Sequence, residues 1–290
     1  VPTRSLSIDE PFDLRATLRT TDVGIWRDGI WWWPVWGEDA PSTLALAPAN
    51  GRVEAEAWGP SASTLLERLP ALLGAEQGVP EAFPGSPAER FLRRARGLRL
   101  GASGDLHGAL VSTILGQVVT TTEAAASLRG LVGRFGEPAP GPLDGLRALP
   151  GPAVIAGLGH EDLHPLGVER RRADVVIEVA RRWPRIAPLV DGEPSHARRV
   201  LESIRGVGPW TSANVVGAAM GAADEVPVGD YHLPNRIAWA LAGEERGNDA
   251  RMLELLEPYR PVRRRVLVAV VQSGIHAPRR GPRRAIRRHL

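Results

Sequence analysis

Two short segments hold residues whose types and spacing could do chemistry together. The first reads Ile204-Arg205-Gly206-Val207-Gly208-Pro209-Trp210-Thr211. Two glycines around one residue permit a tight turn and leave the peptide groups open to close approach. Pro209 suits the first position of a helix, where its missing N–H would have lacked a partner anyway. The amides of Gly206 and Gly208 would then lie at a helix N-terminus, where unpaired N–H groups and the helix dipole favour an anion such as phosphate. The second segment reads Val226-Pro227-Val228-Gly229-Asp230-Tyr231. Its loop delivers Asp230 to the start of a helix expected over residues 231–242, and the dipole favours an anion there. A fixed carboxylate can stabilise a cationic transition state. The plainer readings are a helical hairpin with glycine stops and a helix-capping aspartate.

Composition narrows the chemistry. All 36 basic residues are arginine, and no lysine occurs in 290 positions. No side-chain amine is therefore available for a Schiff base. Cysteine is absent, which removes disulfides, thiolate nucleophiles, iron–sulfur clusters and cysteine-bound zinc together. The formal net charge of +3 is a weak argument for a polyanionic partner. Its distribution says more: ten arginines and no acidic residue lie between positions 260 and 290. Such a block attracts phosphates and releases their counterions, although a solvated tail has the same composition. No run of eighteen apolar residues predicts a membrane span, and no signal-type stretch opens the chain. A monomer in the cytoplasm, associated with the nucleoid, is the resulting expectation.

The elements that must position these residues fall into two kinds. Residues 1–75 predict an α+β N-terminal domain. Short segments at 14–19, 24–26, 30–36, 43–47 and 52–57, punctuated by Gly, Pro, Asp and Asn, suggest a small antiparallel sheet. A helix over 61–73 packs on it. Pro34 argues for an edge or a bulge. The tryptophans at 26, 31, 32, 33 and 36 read as sheet packing rather than a ligand platform. Residues 76–104 read as a linker with a short helix near 88–96. From Asp105 onward the helical period takes over. Asp105 caps a helix carrying Leu106, Leu110, Ile114 and Val118. Further helices are expected over 122–135, 143–148, 152–158, 168–183 and 195–204, with no further strand. Residues 105–290 therefore predict an all-α domain with a basic C-terminal tail.

The chain resembles the helix-hairpin-helix DNA glycosylase superfamily (HhH-GPD), whose loop is rich in Gly and Pro and is followed by an aspartate. Within it the match is most similar to the 3-methyladenine DNA glycosylase II, or AlkA-like, branch. The resemblance rests on the two segments above, and on Pro11-Phe12-Asp13-Leu14, Gly97-Leu98-Arg99-Leu100, Ile114-Leu115-Gly116-Gln117 and Tyr259-Arg260-Pro261. It implies an α+β domain followed by an all-α glycosylase domain acting on damaged double-stranded DNA, with no cofactor required. Asp230 would be the catalytic carboxylate. Strand-nicking members carry a lysine where Trp210 stands, so the resemblance implies a monofunctional enzyme that leaves an abasic site.

Other roles follow from the same resemblance. Gly206, Val207, Gly208 and Thr211 would hold the DNA backbone. Val118 or Val119 would wedge into the gap left by an everted nucleotide, core packing being the plainer reading of both. Gln117 would contact the opposite strand. Trp210 and Tyr231 would stack on the everted base, with Phe12 contributing from the N-terminal domain. Asn214, Gln272 and Val271 stand where AlkA-like members place pocket aromatics, which makes the pocket more polar. Arg263 would meet phosphates or neighbouring carboxylates. Main-chain oxygens of Glu202, Ile204 and Val207 would hold a sodium or potassium ion. His164 and His232 lack metal spacing and receive no role. Two alternatives remain: a glycosylase for deaminated or oxidised bases, using Asn214 and Gln272 as base-edge donors, and a non-catalytic DNA-binding module.

Overall fold

The computed structural model describes residues 1–21, 23–37, 39–78 and 81–278. Five strands open the chain: β1 (Thr3–Ser7), β2 (Ile25–Arg27), β3 (Ile30–Trp36), β4 (Pro41–Ala49) and β5 (Arg52–Trp58). They form an antiparallel sheet in the order β1-β5-β4-β3-β2. Along β5, Val53, Ala55 and Ala57 are buried while Arg52, Glu54 and Glu56 are exposed, the period of two expected for a sheet with one covered face. Trp31 and Trp33 pack into the sheet core. Trp32 stacks on Trp58, with ring centroids 5.8 Å apart. The tryptophans thus serve packing. Strand β2 reaches only as far as the partner of Trp32, so β3 is locally an edge beside Pro34.

Two expectations for this domain fail. Residues 14–18 are not a strand but helix α1 (Leu14–Leu18). Asp13 caps it, accepting from the Ala16 amide at 2.9 Å, and Leu14 and Leu18, four apart, share the buried side. The leucine spacing is helical, and the capping aspartate settles it. The first strand, β1, begins at Thr3 and is held by β5, a pairing that nothing near Thr3 signals. The single helix expected over 61–73 is two, α2 (Ala62–Glu67) and α3 (Leu69–Leu72). Pro70, in the first turn of α3, has no N–H with which to continue α2.

The rest is helical: α4 (Glu89–Arg94), α5 (Leu106–Leu115), α6 (Thr121–Phe135), α7 (Pro152–Ala156), α8 (His160–Leu163), α9 (Arg170–Arg181), α10 (Trp183–Ile186), α11 (Pro194–Glu202), α12 (Pro209–Ala219), α13 (Leu233–Ala242), α14 (Asp249–Leu256) and α15 (Arg263–Gln272). Between α6 and α7, residues 143–148 are not the helix expected. They lead into β7 (Arg147–Ala148), which pairs with β6 (Glu137–Pro138), a ladder the sequence did not predict. Gly145 takes φ +73°. The Arg147 guanidinium binds carbonyls of Val132 and Gly136 at the end of α6. A glycine in left-handed backbone and an arginine answering a helix C-terminus replace a helical turn.

Among the described residues, three buried clusters hold the molecule. One lies on the sheet. A second joins α5 through α12 around Leu110, Ile114, Val176 and Val215. The third joins α4 to α13, α14 and α15 around Phe91, Ile237, Met252 and Val266. Ala88, Phe91, Leu92 and Leu98, from the stretch read as a linker, belong to this third cluster. The helical part therefore has two cores. The residues of interest lie where α12, on the second core, meets the start of α13, on the third.

Candidate active site and nucleic-acid interface

Helices α11 and α12 form the hairpin, closed by the Val207 amide donating to the Ile204 carbonyl at 3.0 Å. Gly206 has φ +96°, and a Cβ added there would lie 2.2 Å from Cγ2 of Val175 on α9. Left-handed backbone and close packing both demand glycine. Gly208 differs: its φ is −102° and a Cβ would meet nothing within 4 Å. It caps α12, and the space that a side chain would occupy beside this helix N-terminus is open. Behind the turn, Glu202 accepts from Arg198 Nε at 2.8 Å and from Ser212 Oγ at 2.6 Å, while Arg198 also reaches Glu225 at 2.8 Å. Burial pushes the Glu202 carboxyl upward, but the bonds from Arg198 and Ser212 outweigh it and hold it below the usual range. This network fastens α11 to α12, and no sequence motif announces it.

Asp230 stands on the loop before α13. Its Oδ1 accepts from the amides of His232 at 2.7 Å and Leu233 at 2.8 Å. Its Oδ2 accepts from the Trp210 indole Nε1 at 2.9 Å. Every one of these partners is a donor, the complement of an anion. The helix starts at Leu233, two residues later than expected, because Asp230 takes up its first amides. The capping role and the candidate catalytic role therefore coincide in one half-buried side chain. Trp210 is the second residue of α12, so the helix that presents the open amides also orients the carboxylate. Gly229, with φ +93°, donates its amide to Asp249 Oδ2 at 3.1 Å. Asp249 Oδ1 is buried with no hydrogen-bond partner. Asp249 was not foreseen, since Asn248-Asp249 signals only a helix start.

Across the hairpin lies the loop after α5. That helix ends at Leu115, short of Val118. Val118 has φ +58° and is 78% exposed, which excludes the core reading for it. A β-branched residue in left-handed backbone is a strained outlier of the sort found at functional sites. Val119 is half-buried. Gln117 turns toward the protein: its Nε2 donates to the Gly206 carbonyl at 3.0 Å and to Thr211 Oγ1 at 2.9 Å.

The geometry has relatives. Over 64% of this chain and 64% of its own length, a Bacillus subtilis protein, YfjP, is 24% identical; it is named provisionally as a DNA-3-methyladenine glycosylase. A 3-methyladenine DNA glycosylase from Archaeoglobus fulgidus superposes with a TM-score of 0.77 at 18% identity, covering 92% of this chain and 96% of its own. A Clostridium acetobutylicum 8-oxoguanine glycosylase/lyase, solved with double-stranded DNA, gives 0.69 at 11% identity, covering 91% and 92%. The chain has the helix-hairpin-helix DNA glycosylase fold. No protein-family model matches it.

In this glycosylase fold the remaining candidate residues are distributed unevenly. Asn214 Nδ2 donates to the Trp210 carbonyl at 2.9 Å, one turn back on α12. Gln272 Nε2 donates to the Ala16 carbonyl at 3.0 Å, joining α15 to α1. Tyr231 is adjacent to Asp230 but 85% exposed, with its ring edge-on to His232. Phe12 packs against the sheet core and lines a cleft of about 550 Å³ with Trp26 and Arg15. Of the two roles open to Arg263, carboxylate pairing is the one seen: its guanidinium binds Asp224 at 2.7 and 2.8 Å. Val271 is half-buried against the third core. Residues 279–290, with their arginines, lie outside the described residues. Among the described residues no helix is long and apolar enough to cross a membrane.

Glu202, Ile204 and Val207 lie at and just beyond the C-terminal end of α11. That is the negative end of the helix dipole, and it suits a monovalent cation held by main-chain oxygens. One lone pair of the Ile204 carbonyl is already used by Val207.

Proposed function

We propose that the protein is a monofunctional DNA glycosylase that everts an alkylated purine of the 3-methyladenine type and hydrolyses its N-glycosidic bond, leaving an abasic site. One observation carries the reading: the Asp230 carboxylate is fixed by three donors directly beside the hairpin helix whose N-terminus lies open. The amides around Gly206 and Gly208 take a phosphate of the damaged strand. Val118, with Val119 behind it, fills the gap left in the duplex. The everted base stacks on the Trp210 ring, with Tyr231, next to Asp230, as the second stacking candidate, and an electron-deficient alkylpurine gains from π faces much as a cation does. As the bond from C1′ to the base nitrogen lengthens, its electron pair leaves with the base. The base already carries positive charge and needs no strong acid. The sugar becomes oxocarbenium-like, and Asp230 stabilises that cation from a fixed position. Water adds at C1′ and its proton passes to solvent. A sodium or potassium ion on the main-chain oxygens of Glu202, Ile204 and Val207 would add positive charge beside the bound phosphate.

The readings set against this one have less support. For deaminated or oxidised bases, Asn214 and Gln272 were the candidate donors, and each commits one of its two amide N–H groups to a protein carbonyl. A pure DNA-binding module has no need of an anion facing a polyanion. The deciding assay incubates methylated, deaminated and oxidised duplexes with the protein and identifies the free base. Release from methylated duplex is expected. Release only from deaminated or oxidised duplex, or none, overturns the proposal.

A further inference from the structure

We propose that Gln117 is a positioning residue that fastens the insertion loop to the phosphate-binding hairpin, so that seating the strand and presenting Val118 are one event. The inference rests on the glycosylase reading and deepens it. A side-chain amide has two N–H donors. Both are spent inside the protein, one on the Gly206 carbonyl and one on Thr211 Oγ1. Neither is left to read a base on the opposite strand. The two acceptors flank the open amides: Gly206 lies in the turn and Thr211 in the first turn of α12.

The loop has anchors on either side of this bond. Before it, the buried Arg172 donates to the Leu115 carbonyl, the last residue of α5, at 2.7 Å and to the Gly167 carbonyl at 3.0 Å. After it, Thr120 and Glu123 close a capping box on α6. Between these fixed points Val118 stands out in left-handed backbone. A strained residue persists only where its surroundings over-determine it. The bond from Gln117 carries the constraint directly to the hairpin; Arg172 ties the start of the loop to α9, and the capping box ties its end to α6. Thus a phosphate that orders Gly206–Thr211 also stiffens the support of Val118.

Gln117→Leu keeps the bulk and removes both donors; Gln117→Glu keeps the length and puts acceptors against an acceptor. Amide hydrogen exchange of the free proteins is the first readout. Both variants should exchange faster at residues 116–120 while residues 206–211 stay near wild type. On undamaged duplex, wild type should gain protection at both segments, and the variants at the hairpin alone. In single-turnover base release the variants should lose roughly 10-fold or more, as two lost hydrogen bonds imply, while duplex affinity changes far less. The loss should be equal whichever base lies opposite the lesion. Adding Val118→Ala to Gln117→Leu should cost little more. Unchanged exchange at 116–120, a loss that depends on the opposing base, or fully additive losses would each overturn the inference. Wild type that releases no base yet gains coupled protection sinks the glycosylase reading alone. Wild-type release with unaltered loop exchange in Gln117→Leu sinks this inference alone.

Discussion

Alanine at the two hairpin glycines should produce opposite defects. At Gly206 the added Cβ would sit 2.2 Å from Cγ2 of Val175, a buried side chain of the second core, and the backbone has φ +96°. Left-handed backbone costs an L-residue about 1–2 kcal/mol, and overpacking a core adds about 1–3 kcal/mol. Gly206→Ala should therefore lose roughly 2–5 kcal/mol. At about 2 °C or more per kcal/mol for a chain of this size, melting should fall by at least ~4 °C. At Gly208 the Cβ meets nothing within 4 Å and φ is −102°. Stability should stay within about 1 kcal/mol of wild type. Its methyl group would stand where a phosphate must approach. Losing one charge-assisted hydrogen bond, worth about 1.5–3 kcal/mol, weakens DNA binding roughly 10- to 100-fold. Thermal melting and duplex titration at one fixed salt concentration separate the two. A Gly208→Ala protein that binds duplex like wild type removes the hairpin from the interface. A Gly206→Ala protein that melts with wild type shows that Val175 does not close the turn.

Asp230→Asn should still accept the His232 and Leu233 amides and fold normally, yet lose about 100-fold or more in single-turnover base release with DNA binding intact or tighter; surviving activity would reassign the site. Trp210→Phe keeps a ring but drops the N–H that holds Asp230 Oδ2, so the release rate should fall by roughly 10-fold, more than affinity does. Borohydride should trap no covalent adduct with substrate duplex, since no lysine exists to form one; an adduct on gels would refute the monofunctional reading. Deleting residues 279–290 should flatten the dependence of log Kd on log salt by about 0.9 for each phosphate no longer neutralised; an unchanged slope puts the tail off the DNA.

Much of the site was legible because glycine, proline and capping residues act on their own backbone. The Gly206-Val207-Gly208-Pro209 string fixed the turn, and Asp105 capped α5 as expected, accepting from the Gly108 amide at 2.7 Å. The two misses differ in kind. The leucine spacing and the adjacent cap Asp13 were local signals for α1 that the strand reading passed over, whereas around Arg147 the side chain binds carbonyls at the end of α6, a contact that no local pattern announces.

The sequence by itself determined which residues could serve: one carboxylate after a glycine turn, no lysine, and an open helix start. Only the tertiary structure decided what each side chain is free to do. It joined Trp210 to Asp230 across 20 residues, Gln117 to Gly206 across 89, and Gln272 to Ala16 across 256. It paired Arg263 with Asp224 and turned Tyr231 outward. Backbone preferences are set by a few adjacent atoms and can be read along the chain. The partner of a polar side chain is chosen by competition among all groups that packing brings within hydrogen-bond reach. That contest has no counterpart in spacing along one sequence.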